Sequence, residues 1–231
     1  MSANLLRIRV MALFGVIVLF CTEQPITGAA TKIWNFDKDA VQVLPQGWLS
    51  ELTGRGAKGT WVVLADPTAP SPPNILAQTS KNITDYRFPV VAVQNTNYQD
   101  LDLSVQFKTI SGRVEQEAGL AWRYQDAKNY YVVGANALKD NVVLYKVENG
   151  KQSHLRPKGA TGRGFGAKIG VPRNVWNKLA VKVSGNVFIV SFNGRKLYEV
   201  EDNTFAGAGK IGLWTKADSV VYFDNLSVSG K

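Results

Sequence analysis

The segment 119–147 constrains the fold more than any other part of the chain. It reads GLAWRYQDAKNYYVVGANALKDNVVLYKV, three short apolar runs rich in Tyr, Trp and Val that are separated by polar turns containing Asn and Asp. Aromatic and β-branched residues favour strands, whereas Asn and Asp favour turns. The segment therefore predicts a β-meander.

The rest of the chain repeats this pattern. Residues 101–107 alternate strictly between apolar and polar side chains, which is typical of an antiparallel strand with one buried face. Asn149-Gly150 and Asn193-Gly194 supply the positive φ angles that tight hairpins require. With about twelve short strands and no convincing helix, the sequence predicts an all-β protein, a two-sheet antiparallel sandwich.

The N-terminus has the three parts of a secretory signal peptide. Arg7 and Arg9 precede an apolar run, Val10–Phe20, and the small residues Gly28, Ala29 and Ala30 come later, with cleavage expected after Ala30. The apolar run is too short for a membrane span, which needs about twenty helical residues. We predict export to the periplasm or the extracellular space, with residues 1–30 removed and residues 31–231 forming one domain.

Charge and cysteine content limit the other possibilities. The full chain carries a formal charge of +9, and removing Arg7, Arg9 and Glu23 with the leader leaves +8. The basic residues are scattered and no nucleic-acid-binding motif is evident, so nucleic acid is not an expected partner. Cleavage would also remove Cys21, the only cysteine, so we expect no disulfide. Stability would then come from core burial and from any bound ion.

Three stretches carry a resemblance to a known family. They are AGLAWRYQDAKNYYVVGANALKDNVVLYKVENGK, WNKLAVKVSGNVFIVSFNG and GKIGLWTKADSVVYFDNLSV. Together they resemble a secreted concanavalin A-like jelly roll of the 3-keto-disaccharide hydrolase type, which is similar to laminin G-like and glucanase domains. The resemblance implies a jelly-roll sandwich with a saccharide on its concave sheet. Because this fold hosts lectins, hydrolases, lyases and accessory modules, the resemblance indicates fold better than function.

Period-two alternation predicts which side chains would meet that saccharide. The outward set includes Arg123, Tyr130 and Tyr145, where aromatic rings could stack on a sugar and a guanidinium could bind hydroxyls or a carboxylate. Ordinary packing of these residues within the sheet is the alternative. Relatives often carry Arg where Gly134 stands, which weakens the transfer of a binding role. Six residues of the meander are expected to face the core: Leu120, Trp122, Tyr131, Val133, Val142 and Leu144.

Candidate catalytic residues are few. Glycoside hydrolysis usually needs two carboxyl groups around the scissile bond, and the glucanase-type ExDxE motif is absent. Glu115 and Glu117 stand two apart and would share one side of a strand, although an exposed turn is the alternative. Glu199 and Glu201 form a second such pair. Chemistry on a keto-sugar could instead begin by deprotonation beside the carbonyl group.

Metal chemistry has one candidate site. His154 is the only histidine, which excludes a zinc site built from several His ligands. The resemblance implies a structural calcium on the convex side. The first strand ends near Asp37, and the last strand contains Asp224. These carboxylates could converge on a hard cation. The alternative is that Asp224 hydrogen-bonds a turn.

Two functions from different classes remain open. The chain is either an exported carbohydrate-binding module or a glycoside hydrolase or lyase that acts on a 3-keto-disaccharide or a related glycan.

Overall fold

The computed structural model describes residues 30–161 and 164–231. Residues 1–29 of the predicted signal peptide, including Cys21, lie outside these residues. The described residues form sixteen strands and no helix. The strands are β1 (Lys32–Trp34), β2 (Trp48–Gly54), β3 (Trp61–Ala65), β4 (Asn74–Gln78), β5 (Arg87–Val93), β6 (Leu101–Ser111), β7 (Glu117–Asp126), β8 (Asn129–Asn136), β9 (Asn141–Glu148), β10 (Lys151–His154), β11 (Ala167–Lys168), β12 (Asn177–Ser184), β13 (Val187–Phe192), β14 (Arg195–Glu201), β15 (Lys210–Thr215) and β16 (Val220–Gly230).

Two antiparallel sheets contain all of these strands. The first sheet has the order β14-β13-β12-β6-β16-β4-β3, with β1 added to β16. The second sheet has the order β10-β9-β8-β7-β15-β5-β2, with β11 added to β9. Segment 119–147 forms most of the β7-β8-β9 meander in this second sheet. The predicted two-sheet antiparallel jelly-roll sandwich is confirmed.

The two sheets enclose an inner core of buried side chains. Trp122 stacks on Tyr131 and meets Phe188 of the first sheet edge-on, with ring centroids 5.6 and 5.4 Å away. Leu120, Val133, Val142 and Leu144 belong to the same cluster, so the predicted inward face of the meander is confirmed. Trp34 and Phe36 both pack on Trp48, which closes the core beside the first strand.

A second apolar cluster covers the outer face of the second sheet. We call it the outer cluster, and Tyr130, Val132 and Trp214 at its centre are fully buried. Neighbouring strands lie about 4.8 Å apart, so a flat sheet would hold β2 about 14 Å from β7. Instead, Thr53 of β2 donates a hydrogen bond to the carbonyl of Ala127, in the β7–β8 hairpin, and lies 2.8 Å from the Tyr130 hydroxyl. The second sheet therefore curls over its own outer face and buries the outer cluster.

No helix among residues 30–161 and 164–231 has the length and apolar character to cross a bilayer.

Candidate functional site

Two carboxyl groups meet where β7 begins. Glu117 is the first residue of β7 and Glu115 lies two residues before it. The Asn136 amide, at the end of β8, donates to Glu115 Oε2 at 2.6 Å and to Glu117 Oε2 at 3.2 Å. Only 5% of Glu115 and 1% of Glu117 are exposed, so the alternative of an exposed turn is wrong. The two carboxyl groups share one side, as their spacing predicts.

Two lysines and a tyrosine complete this group. Lys216 Nζ lies 3.0 Å from Glu115 Oε1 and 3.9 Å from Glu117 Oε2, and Lys139 Nζ lies 2.6 Å from Glu115 Oε1. The Tyr145 hydroxyl donates to Glu117 Oε1 at 3.3 Å. We call these six residues the carboxyl cluster: Glu115, Glu117, Asn136, Lys139, Tyr145 and Lys216.

The two carboxyl groups differ in acidity. Burial opposes ionisation of Glu115, but the hydrogen bond from Lys139 and the charge of Lys216 outweigh it and hold the pKa below its usual value. Burial raises the pKa of Glu117, and the nearby Glu115 charge adds to this against the opposing charge of Lys216. The cluster thus pairs a carboxylate with a carboxyl group that retains its proton more strongly. Such a pair can accept one proton and donate another.

Gly134 provides the space that Glu117 occupies. A Cβ atom on Gly134 would lie 3.0 Å from Glu117 Cδ and would overlap Glu117 Oε1. A larger side chain at position 134 would therefore displace the carboxyl group. The glycine that departs from the resembled pattern is thus the residue that makes room for a buried acid.

An aromatic stack leads from the carboxyl cluster towards solvent. His154 pairs with Tyr145 across β10 and β9, and its ring lies 4.9 Å from the Tyr145 ring and 4.4 Å from Phe165. Burial, together with the charges of Lys216 and Lys139, lowers the pKa of His154 and favours its neutral form. Sequence reasoning missed His154 as a site residue. Its place four residues after the Asn149-Gly150 turn, with Tyr145 four residues before that turn, could have indicated their pairing.

The predicted saccharide platform is not exposed. Only 1% of Arg123 is accessible, because its guanidinium donates to the carbonyls of Phe205, Gly185 and Gln99 at 2.7, 2.5 and 3.0 Å. Tyr130 is fully buried in the outer cluster. Tyr130 therefore lies on the predicted outer face of the sheet, but neither its ring nor the Arg123 guanidinium is accessible to a saccharide. Tyr145 is also buried, but its hydroxyl group does reach the carboxyl cluster.

Comparison with known proteins identifies the family. Residues 74–229, more than half of the chain, match the model of the 3-keto-alpha-glucoside-1,2-lyase-like domain. The chain belongs to this family. All six residues of the carboxyl cluster lie within the matched range of the lyase-like domain. No curated protein sequence matches the chain.

Solved structures share the fold of this lyase-like domain. Carbohydrate binding module CBM66 from Bacillus subtilis has a TM-score of 0.62 at 20% identity, covering 80% of this chain and 96% of that one. Cellulose induced protein Cip1 has a TM-score of 0.59 at 13% identity, with 87% and 97% covered. Domain 4 of the extracellular arabinanase AbnA from Geobacillus stearothermophilus, determined with arabinotriose, has a TM-score of 0.53 at 12% identity, with 88% and 93% covered. At these identities the likeness establishes the fold.

The two carboxyl groups of the predicted calcium site do converge. Ser71 donates its backbone N–H to Asp224 Oδ2 at 2.7 Å and its hydroxyl to Asp37 Oδ2 at 3.2 Å. Burial raises the pKa of Asp224 to about 6, and the charge of Asp37 contributes. The Asn74 amide nitrogen lies 3.4 Å from each of three backbone carbonyl oxygens, those of Phe36, Asp37 and Asp39.

Carboxylate and carbonyl oxygens are the ligands that a hard cation takes, so calcium at this place stays a prediction. Within residues 30–161 and 164–231, no group of three or more His, Cys, Asp or Glu side chains is arranged for a metal, so backbone carbonyls would complete the shell. The predicted alternative is also observed, because Asp224 accepts the backbone N–H groups of Ser71 and Asn225 at 2.7 Å each and Phe223 is fully buried.

The second pair of glutamates has a different environment. Glu199 and Glu201 lie on β14 of the first sheet, and Lys158 is 3.7 and 2.5 Å from their carboxylates. The Lys158 and Glu201 side chains are largely exposed, as in ordinary surface ion pairs. These glutamates are not part of the carboxyl cluster.

Proposed function

We propose that this chain is an exported saccharide-binding β-sandwich whose ligand lies against the carboxyl cluster, on the concave side of the second sheet. One observation carries the proposal: carboxyl oxygens, an amide and two ammonium groups converge on one side of that sheet. Sugar hydroxyls both donate and accept hydrogen bonds, so such a mixed set is suited to them. The fold shared with CBM66 and with the arabinotriose-bound domain supports this assignment.

The aromatic stack supplies an apolar surface beside these polar groups. Phe165 is 41% exposed and stacks on His154, which in turn contacts Tyr145. An exposed aromatic face can cover the apolar side of a pyranose ring. We propose that Phe165 contacts one sugar ring while Lys139, whose side chain is 51% exposed, contacts its hydroxyl groups.

Calorimetric titration with α-linked glucose disaccharides and their 3-keto forms tests the binding proposal. We expect saturable binding that Lys139→Ala weakens at least tenfold, which corresponds to about 1.4 kcal/mol. Lys196→Ala is the matched control, since it removes a similarly exposed lysine outside the carboxyl cluster, and it should leave affinity unchanged. Equal affinity in the wild type and Lys139→Ala would contradict the proposed location.

A second candidate function is 1,2-elimination on a 3-keto-α-glucoside. The unequal acidities of Glu115 and Glu117 favour it, as does the family. The Glu115 carboxylate would take the proton from C2, which the neighbouring 3-keto group acidifies. The C2–H electron pair forms the C1=C2 double bond as the C1–O bond breaks, and Glu117 protonates the departing oxygen. The products are an unsaturated keto-sugar and an alcohol.

Turnover separates the two functions. The enone formed by elimination absorbs in the ultraviolet, so its appearance with a 3-keto-disaccharide would support the lyase. Glu115→Gln should then abolish product formation while retaining binding. Saturable binding by the wild type without product would assign the chain to the binding class.

Export is the remaining part of the proposal. The arrangement of Arg7, Arg9, the apolar run and Ala30 supports it. Intact-mass measurement of protein recovered from the periplasm or medium should show a chain that begins at Thr31. Recovery of the uncleaved chain from the cytoplasm would contradict export.

A further inference from the structure

The turn between β15 and β16 contributes Lys216 to the carboxyl cluster and contacts the cluster through Asp218 and Ser219. It comprises Lys216, Ala217, Asp218 and Ser219. We propose that Asp218 and Ser219 are positioning residues that fix the backbone before β7, so that Glu115 and Glu117 take their unequal positions around Lys216. This inference rests on the proposed function of the carboxyl cluster, and the test below separates the two.

Asp218 holds the segment that carries Glu115. Its carboxylate accepts three successive backbone N–H groups, from Arg113 at 2.6 Å, from Val114 at 3.0 Å and from Glu115 at 3.0 Å. Residues 112–116 lie between β6 and β7, outside the sheet ladders, so these amides have no strand partner to bind. The buried Asp218 carboxylate accepts the hydrogen bonds that a neighbouring strand would otherwise accept. Three such hydrogen bonds strongly favour the ionised form of Asp218.

Ser219 holds the next carboxyl group in the same way. Its hydroxyl oxygen accepts the backbone N–H of Glu117 at 3.0 Å and donates to the carbonyl of Lys216 at 2.5 Å. Ser219 is fully buried. The turn thus supplies the acceptors for the backbone N–H groups of both glutamates. Lys216 places its ammonium group between the two carboxyl groups. A shift of this turn would move the Asp218 carboxylate, the Ser219 hydroxyl and the Lys216 ammonium group together.

A buried arginine holds the turn itself. Ala217 adopts a φ of 48°, which is unusual for a residue with a Cβ atom. Arg87 donates through Nη1 to the carbonyl of Ala217, and the N–H of Ala217 donates back to the carbonyl of Arg87 at 2.8 Å. The other Arg87 nitrogens bind the carbonyls of Ala57 and Lys58 and the hydroxyl of Ser80 at 2.7, 3.1 and 3.0 Å.

These contacts fix the turn on the scaffold. Because no part of Arg87 is exposed, the guanidinium has little freedom to release the turn. Arg87, a buried side chain on β5, thereby determines where Lys216, Asp218 and Ser219 lie.

Carbon-13 NMR titration of the glutamate carboxyl groups tests positioning without any ligand. In Ser219→Ala, which changes no charge, the loosened segment should admit water, so that the pKa values of Glu115 and Glu117 move towards each other by about 1. Asp218→Asn should have the same effect, although its lost negative charge also lowers both values. The matched control is Asp202→Asn. Asp202 also accepts a backbone N–H, from Thr204 at 2.8 Å, but lies outside the carboxyl cluster.

The outcomes are distinct. Unchanged pKa values of Glu115 and Glu117 in folded Ser219→Ala would overturn the positioning role. Convergence of the two values in the Asp202→Asn control as well would overturn it too, since the effect would then be general destabilisation. If the two values converge only in the turn variants while the wild type binds no saccharide, positioning stands and the proposed function fails. If Asp218→Asn does not fold, Ser219→Ala alone decides.

Discussion

Glu117 directs its carboxyl group over the Cα atom of Gly134, on the neighbouring strand, in space that any side chain at position 134 would fill. Gly134→Ala should therefore displace the Glu117 carboxyl group and weaken saccharide binding or turnover. Because adding a methyl group to a packed site costs about 1–3 kcal/mol, we also expect a lower melting temperature. Calorimetric titration and thermal unfolding measure both effects.

Gly170→Ala is the matched control for this prediction. A Cβ atom on Gly170 would meet no atom within 4 Å. The control should therefore bind and melt like the wild type. If Gly134→Ala kept full affinity, the position of the Glu117 carboxyl group would have no role in binding.

The two glutamates should change stability with pH in opposite directions. The pKa of Glu115 is lowered in the folded state, so its ionisation stabilises the fold above the unfolded-state value, and this stability is lost as pH falls. Glu115→Gln should thus melt below the wild type at pH 7, with a deficit that shrinks below about pH 4. Thermal melts from pH 3 to pH 8 measure this deficit.

Glu117 has a raised pKa, so its ionisation in the fold costs stability as pH rises above the unfolded value. Glu117→Gln removes that cost. The melting temperature of this variant relative to the wild type should therefore increase from about pH 4 upwards. A pH-independent difference in melting temperature for both variants would contradict the assigned protonation states.

The period of two in the sequence predicted the sandwich and the inward face of the meander, because regular strands alternate strictly. It failed at Arg123, where the pairing of β7 with β8 shifts register after Trp122 and the backbone takes a positive φ of 45°. The alternation no longer applies beyond such a break. No local pattern indicates a change of this kind.

Contacts between residues far apart in the sequence account for the other differences between the predicted and the observed structure. The burial of the outer cluster depends on Thr53 meeting Ala127, which is 74 residues away. The burial and pairing of Glu115 depend on Lys216 and Asp218, about a hundred residues later in the chain. The carboxylates that could be predicted to converge, Asp37 and Asp224, lie beside the first and in the last strand, where topology gives a reason for proximity.

Arg123→Ala should mainly destabilise the protein. The substitution empties the space of a buried side chain and removes the donors that three part-buried carbonyls now use, and each such hydrogen bond contributes about 0.5–1.5 kcal/mol. Trp122→Ala, in the inner core, should cost about 3–5 kcal/mol. Both variants should bind saccharide normally under conditions where they remain folded. Urea unfolding measures the stability, and a folded Arg123→Ala variant with lost affinity would restore a binding role for this residue.

Calcium should raise the melting temperature through the oxygen groups around Asp37 and Asp224. If the ion binds only the folded state, free calcium at one hundred times the dissociation constant stabilises the fold by about 2.7 kcal/mol. We expect a higher melting temperature in millimolar calcium than in excess chelator. Identical melts in the two conditions would eliminate the site. Asp224→Asn should abolish the increase, whereas Asp202→Asn, which alters a carboxyl group hydrogen-bonded to Tyr131, should retain it.

The same site should respond to pH in a defined direction. Because burial raises the pKa of Asp224 to about 6, the carboxyl group holds a proton at pH 5 that calcium must displace. The metal-induced increase in melting temperature should therefore be large at pH 7.5 and small at pH 5. An increase of equal size at both pH values would mean that calcium binds elsewhere on the protein. Asp37→Asn gives an independent check. It removes the second carboxylate that accepts a hydrogen bond from Ser71, and it should weaken calcium binding at both pH values.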